Sequence, residues 1–299
     1  MVEIYLLIPN SIYIFIKEYL DIFILNYGFK YIMFDAHKGE EYNIEQTEYY
    51  SKDAIYIYVS CKICSSSITN KDNNIGLLNT ESYDRHINQY GQRSIIKLVK
   101  NNKISFLLEY SEENIIRLKE HEEFRNIPIY FCPATILNTE LFNYEKTLQI
   151  TSLNCNKYFE RRYKIIEQLA NKNIDITNLN VFSESRDNVL MRSRVFVNIH
   201  SYDDYDILEQ TKINRLIYNK VIIVSENGAK IKDTYIQKYI IHCDYNDLVD
   251  KAIDVINNYE KYYNMLFNDF NINEIQNYYN TYYEQLMREI NKTKQNKRT

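Results

Sequence analysis

The stretch Val195-Phe196-Val197-Asn198-Ile199-His200-Ser201-Tyr202 runs from an apolar strand pattern straight into polar residues, followed by Asp203, Asp204 and Asp206 and by Glu209 early in a helical pattern. In open α/β sheets, ligands bind beyond the carboxyl ends of the strands, where backbone amides and helix N-termini present partial positive charge. His200 and Tyr202 are therefore candidates for contact with an anionic ligand. Arg161 and Arg162 fall early in another helical pattern, where a cation is electrostatically unfavourable unless an anion lies nearby. A diphosphate is such an anion; neutralisation by Glu160 or by an i,i+4 partner on a solvated face is the alternative. His200 has an alternative as a hydrogen-bonded structural residue, Tyr202 as simply one of 30 tyrosines, and Glu209 as a first-turn acid that complements the helix dipole.

The N-terminal half offers fewer candidates. Asn79 and Glu81 follow an apolar run, and a carboxylate there could orient or deprotonate a hydroxyl. Ser111 with Asn114 three residues later reads as a helix N-cap. Cys61 and Cys64 form a C-x-x-C, but no second cysteine or histidine pair stands nearby to complete four zinc ligands, so no metal site is expected. Five cysteines, an odd number in a long chain without a signal peptide, point to reduced thiols in a cytosol-like compartment.

These residues need a scaffold, and the apolar pattern supplies one. Short apolar runs at 2–8, 31–34, 54–60, 75–78, 104–108 and 129–131 alternate with helical patterns, the first at 12–26. That is the rhythm of a parallel sheet covered by helices. A second series begins with a run at 148–153 and a helix over 157–172, whose Ile165, Ile166, Leu169 and Ala170 fall at helical spacing. It continues with a strand near 174–182, a helix at 187–192, a strand at 195–199, a helix at 207–218 and a strand at 221–224. The expected class is α/β with two Rossmann-like domains, at residues 1–141 and 147–262 and joined by a linker at 142–146. C-terminal helices at 263–290 and a disordered basic tail at 291–299 complete the chain. A length of 299 residues suits two cores.

Composition excludes some functions. A formal net charge of -4 gives no overall attraction to nucleic acid or anionic lipid. The apolar N-terminal stretch, residues 4–25, is interrupted by Pro9, Asn10, Lys17, Glu18 and Asp21, so it is neither a membrane span nor a secretory h-region.

Arg186-Asp187 through Ser193, the strand ending Val197-Asn198-Ile199-His200, then Ile207-Leu208-Glu209 and Val224-Ser225-Glu226 resemble, in order and spacing, glycosyltransferases related to families 1 and 4. Thr151-Ser152-Leu153-Asn154 followed by Glu160-Arg161-Arg162 is similar to the first strand, turn and helix of that family's nucleotide-sugar domain. Leu77-Leu78-Asn79-Thr80-Glu81, Tyr110-Ser111-Glu112-Glu113-Asn114 and the Pro133 segment look like its acceptor-side domain. The resemblance covers roughly residues 75–226, and relatives of this kind occur in large DNA viruses and in bacteria with AT-rich genomes.

The resemblance implies a GT-B arrangement, two Rossmann-like domains facing across a cleft with the C-terminal helix crossing back to the first. It implies transfer of a sugar from a nucleotide-diphosphate donor, UDP- or GDP-linked, to a glycan or glycoconjugate acceptor, with no metal and no cofactor; the cysteine usage puts the expected location in the cytoplasm, that of the host if the chain is viral. Carried onto this sequence, Ser152, Asn154, Arg161, Arg162, His200, Tyr202, Ile207, Leu208 and Glu209 would hold the donor, Glu209 through the ribose hydroxyls. The arginines would stabilise the leaving nucleotide diphosphate in place of a metal ion. Asn79, Glu81 and Tyr110 would face the acceptor, and Glu81 and His200 are the catalytic candidates. Two departures from the pattern stand out. The Glu-x7-Glu of retaining members is broken, since Ser201 lies eight residues before Glu209, and the glycine common after the first C-terminal strand is absent, Ser152 being the nearest small residue. They leave open a degenerate module that binds nucleotide or glycan without turnover; a nucleotide-sugar epimerase is a third reading, because that chemistry also occurs on two facing Rossmann-like domains.

Overall fold

A strand that is apolar at every position is stable only when both its faces are covered, which a parallel sheet between helices provides. In the computed structural model, which describes residues 2–35, 44–59, 75–80, 95–96, 99, 104–180, 183–202, 208–228 and 234–295, such runs form two sheets. Strands Ile4–Pro9 (β1), Lys30–Phe34 (β2), Ile55–Val59 (β3), Ile75–Asn79 (β4), Phe106–Glu109 (β5) and Ile129–Phe131 (β6) lie in the order β2-β1-β3-β4-β5-β6, with every pairing parallel. Strands Leu148–Leu153 (β7), Ile176–Leu179 (β8), Ser193–Asn198 (β9), Ile222–Glu226 (β10) and Ile240–Cys243 (β11) form the second sheet, in the order β11-β10-β9-β7-β8 and again all parallel. β1, β3, β4, β5 and β10 are buried at every position.

The helices among the described residues include Asn10–Asp21 (α1), Glu112–Lys119 (α2), Glu160–Asn171 (α3), Ser183–Leu190 (α4), Gln210–Tyr218 (α5), Thr234–Gln237 (α6), Leu248–Asn257 (α7), Tyr259–Phe267 (α8) and Ile272–Gln295 (α9). The chain divides into two Rossmann-like units, Met1–Thr135 with Gln276–Thr299, and Ile136–Ile275. α9 therefore returns to the first unit: Tyr283 stacks on Tyr27 and donates to the Pro133 carbonyl at 2.8 Å. Residues 142–146 belong to the second unit, tied in where Phe142 N donates to Asn219 Oδ1 and Lys146 Nζ to the Met191 and Asn219 carbonyls.

Several boundaries differ from the sequence pattern for visible reasons. α5 begins at Gln210 rather than 207, because the buried Leu208 extends the apolar period while lying in the turn that caps the helix, where Gln210 N donates to Leu208 O. Glu209 is thus the N-cap residue and not part of the first turn. β10 runs on to Glu226 because β11, absent from the sequence reading, pairs Ser225 with His242 and Glu226 with Cys243. α4 starts at Ser183 instead of 187, and residues 291–295 continue α9 where the composition reads as a disordered tail.

Candidate functional site

In the second unit the chain leaves β7, forms β8 on one side and then crosses to β9 on the other. The strand order switches between β7 and β9, and the carboxyl ends of the strands at such a switch point are the usual ligand position in open parallel sheets. Ser152 bridges the two strands by donating to Val197 O at 3.0 Å, with its oxygen 3.1 Å from Cys155 Sγ. Asn154 takes the turn after β7 with φ 55, and its N–H donates to Leu179 O at 2.9 Å. The left-handed position that a glycine would fill is therefore at Asn154, two residues past Ser152, and asparagine tolerates it better than most residues.

α3 follows this turn, and its first residues aim at the end of β9. Arg161 Nη1 donates to His200 O at 3.2 Å and to Glu226 Oε2 at 2.9 Å, while Nη2 donates to Glu226 Oε1 at 2.6 Å. The guanidinium lies 4.0 Å from the centre of the Tyr245 ring, whose hydroxyl donates to Arg161 O. Arg162 is buried and donates through Nε to Ile199 O at 2.8 Å. Glu160, offered by the sequence as a neutralising neighbour, pairs instead with Lys164.

His200 is buried at the end of β9; its N–H donates to Glu226 Oε2 at 3.0 Å and its Nδ1 lies 3.9 Å from the same oxygen. Burial depresses the imidazole below its ordinary value, and the opposing pull of Glu226 and Glu209 does not overcome it, so the neutral form dominates at neutral pH. Glu209 is ion-paired with Lys212, one turn into α5. Burial lowers the Lys212 ammonium, with Arg162 adding to the effect and Glu209 resisting it. Three cations, Arg161, Arg162 and Lys212, thus share the switch point with two carboxylates, Glu226 and Glu209.

Of the other donor-side candidates, Tyr202 is exposed and Leu208 buried, while Ile207, with Asp203, Asp204 and Asp206, lies outside the described residues. On the acceptor side, Glu81 lies outside them too, as do Cys61 and Cys64. Asn79 and Tyr110 are buried, and Asn79 Nδ2 donates to Glu109 Oε2 at 2.6 Å. Glu109 ends β5 fully buried and also accepts from Asn114 Nδ2 and Ser111 N. Burial raises its carboxyl to about 8 against the counter-effect of these donors. Ser111 caps α2 by accepting from Asn114 N at 3.3 Å, as its spacing predicts. Lys212, Tyr245 and Glu109 escaped the sequence reading, although Lys212 stands three residues from Glu209. Among the described residues no group of three or more histidine, cysteine or acidic side chains is placed to hold a metal ion, and no helix is long and apolar enough to cross a membrane.

Fold and site define a protein of two Rossmann-like α/β units, the second carrying a cation-rich cluster at its switch point. The chain belongs to the family of protein R358 of Acanthamoeba polyphaga mimivirus, an uncharacterised protein to which it is 30% identical over 282 residues, 92% of this chain and 95% of that one. Protein L140 of the same virus, also uncharacterised, is 25% identical over 223 residues, 72% of this chain and 70% of that one. No protein-family model matches the sequence. Among solved structures, TarM is 13% identical with a TM-score of 0.47, over 77% of this chain and 55% of that chain. A mutant of S. aureus TarM in complex with UDP, fondaparinux and alpha-GlcNAc-glycerol is 12% identical with a TM-score of 0.48, over 76% of this chain and 54% of that chain. The chain thus spans about half the length of these TarM chains.

Proposed function

We propose that this chain is a glycosyltransferase that moves a sugar from a UDP- or GDP-linked donor to a glycan or glycoconjugate acceptor in the cytoplasm, without a metal ion. The observation that carries the reading is the convergence of Arg161, Arg162 and Lys212 on the carboxyl end of β9, beside Glu209. The sequence resemblance assigns this same segment to the nucleotide-sugar domain. The donor diphosphate would lie against these cations, and the ribose hydroxyls would donate to Glu209, released from Lys212 as the ammonium turns to phosphate. When the glycosidic bond breaks, negative charge builds on the leaving diphosphate, and fixed cations near it lower the barrier. Neutral His200 can donate from its ring N–H to a phosphate or sugar oxygen without adding to the charge.

One observation favours a second reading, a module that binds nucleotide or glycan without turnover. Arg161 is already matched end to end by Glu226, so a phosphate must compete with a carboxylate for it. Incubation with a panel of nucleotide sugars, following both released nucleotide and sugar identity, separates the readings. Release of nucleotide that grows on addition of a glycan acceptor is the outcome expected of a transferase. Binding with no release supports the module, and interconversion of the sugar would mean an epimerase.

A further inference from the structure

A second concentration of chemistry lies at the opposite end of the same sheet. Lys146 and Lys220 each stand two residues ahead of a strand, β7 and β10, and both line a cavity of about 500 Å3 with the rings of Phe142, Tyr144, Tyr263 and Phe270. Every lining residue lies within the second unit, and none is acidic. Lys146 Nζ donates to the Met191 and Asn219 carbonyls at 2.7 and 2.8 Å, which uses two of its three donors. Burial lowers this ammonium to about 8, as expected of a cation facing dipoles without a counter-charge. Lys220 occupies the left-handed position that ends α5, with φ 52. Glycine is favoured there, yet a lysine stands at this position with its ammonium 6.0 Å from the Phe270 ring. Phe142 and Tyr144, also in the lining, stack on each other at 5.3 Å.

We propose that this cavity binds a sugar carrying an anionic group, its apolar ring face against the aromatic wall and its carboxylate or phosphate met by Lys146 and Lys220. A pyranose has one C–H face and a hydroxyl edge, which matches ring walls beside the polar, exposed Asn143. The volume falls within the range of ordinary small-ligand sites, and the two cations select against neutral sugars through charge-assisted hydrogen bonds. The site is remote from the carboxyl ends of the strands and stands whether or not the donor reading holds.

The test is a ligand-observed NMR titration of the full chain with glucuronate, glucose phosphate, glucose and benzoate. At least one of the two acidic sugars should bind roughly tenfold more tightly than glucose and more tightly than benzoate. Lys146→Met and Lys220→Met should each weaken that sugar roughly fivefold or more, whereas Lys172→Met, which removes an exposed partner of Asp250, should not. Lys146→Met strips a donor from two buried carbonyls, so if that variant misfolds, Lys220→Met decides. Equal binding of glucose, tighter binding of benzoate, no binding of either acidic sugar, or full affinity in Lys220→Met overturns the proposal.

Discussion

Arg161 and Glu226 face each other through two parallel hydrogen bonds, 2.9 and 2.6 Å long, with their side chains 18% and 9% exposed. Such a fork-to-fork pair is strong in geometry but costly to strand, because either charge alone is left poorly solvated. Glu226→Gln should therefore destabilise the chain by about 2–3 kcal/mol in urea unfolding, below the cost in a fully buried pair because Arg161 retains some water. The same change removes the carboxylate that competes with a ligand for Arg161. UDP affinity, measured by calorimetry, should rise severalfold, and a fall in affinity would remove Arg161 from the proposed phosphate site.

Glu209 tests the other end of the same ligand. As the N-cap residue of α5 it makes no side-chain cap hydrogen bond, and although burial lowers the Lys212 ammonium, both partners of the ion pair keep some water, at 20% and 30% exposure, so its loss should cost no more than about 1 kcal/mol. Glu209→Gln should weaken binding of UDP or GDP roughly tenfold, the worth of hydrogen bonds to a charged acceptor, with the unfolding midpoint nearly unchanged. Equal nucleotide affinity in the variant would discard the ribose role.

What the sequence revealed follows from the range of the interactions involved. β1 and β3, each buried at every position, fall within two residues of the apolar runs at 2–8 and 54–60, since a covered strand writes itself as consecutive apolar residues. The Ser111 cap is an i,i+3 interaction and is equally local. Arg161, by contrast, finds its partner 65 residues away; spacing alone offered Glu160, which is exposed and takes Lys164. β11 was missed because four residues, Ile240–Cys243, carry too little pattern, and with it went the extension of β10 that delivers Glu226.

Glu109 predicts a pH dependence in the first unit. Burial raises its folded pKa from 4.5 to about 8, so between those values the folded chain keeps a proton that the unfolded chain has released. The associated stability is fully present below about 4.5, falls as pH rises through about 8 and is then level. The slope from one such group is at most about 1.4 kcal/mol per pH unit. Glu109→Gln cannot release that proton, so the difference in urea midpoint between variant and parent should grow with pH in favour of the variant. A difference that stays flat from pH 5 to about 9 would mean that Glu109 is ionised in the fold.

Tyr283 is where α9 locks onto the first unit. Its neighbours Ile275, Tyr279, Leu286 and Ile290 form the buried stripe of the helix, and its ring lies 4.8 Å from Tyr27 and 5.3 Å from Phe23. Its hydroxyl donates to the carbonyl of Pro133, 150 residues earlier. Tyr283→Phe keeps the ring and strips one donor from a buried carbonyl, which should cost about 1 kcal/mol. Tyr283→Ala also opens a cavity between two aromatic rings and should cost about 3–5 kcal/mol. Urea unfolding of both variants separates packing from hydrogen bonding, and hydrogen exchange at residues 279–290 should quicken far more in the alanine variant. If Tyr283→Ala unfolds at the same urea concentration as the parent, α9 contributes nothing to the core of the first unit, and the return of the C-terminal helix is incidental to the fold.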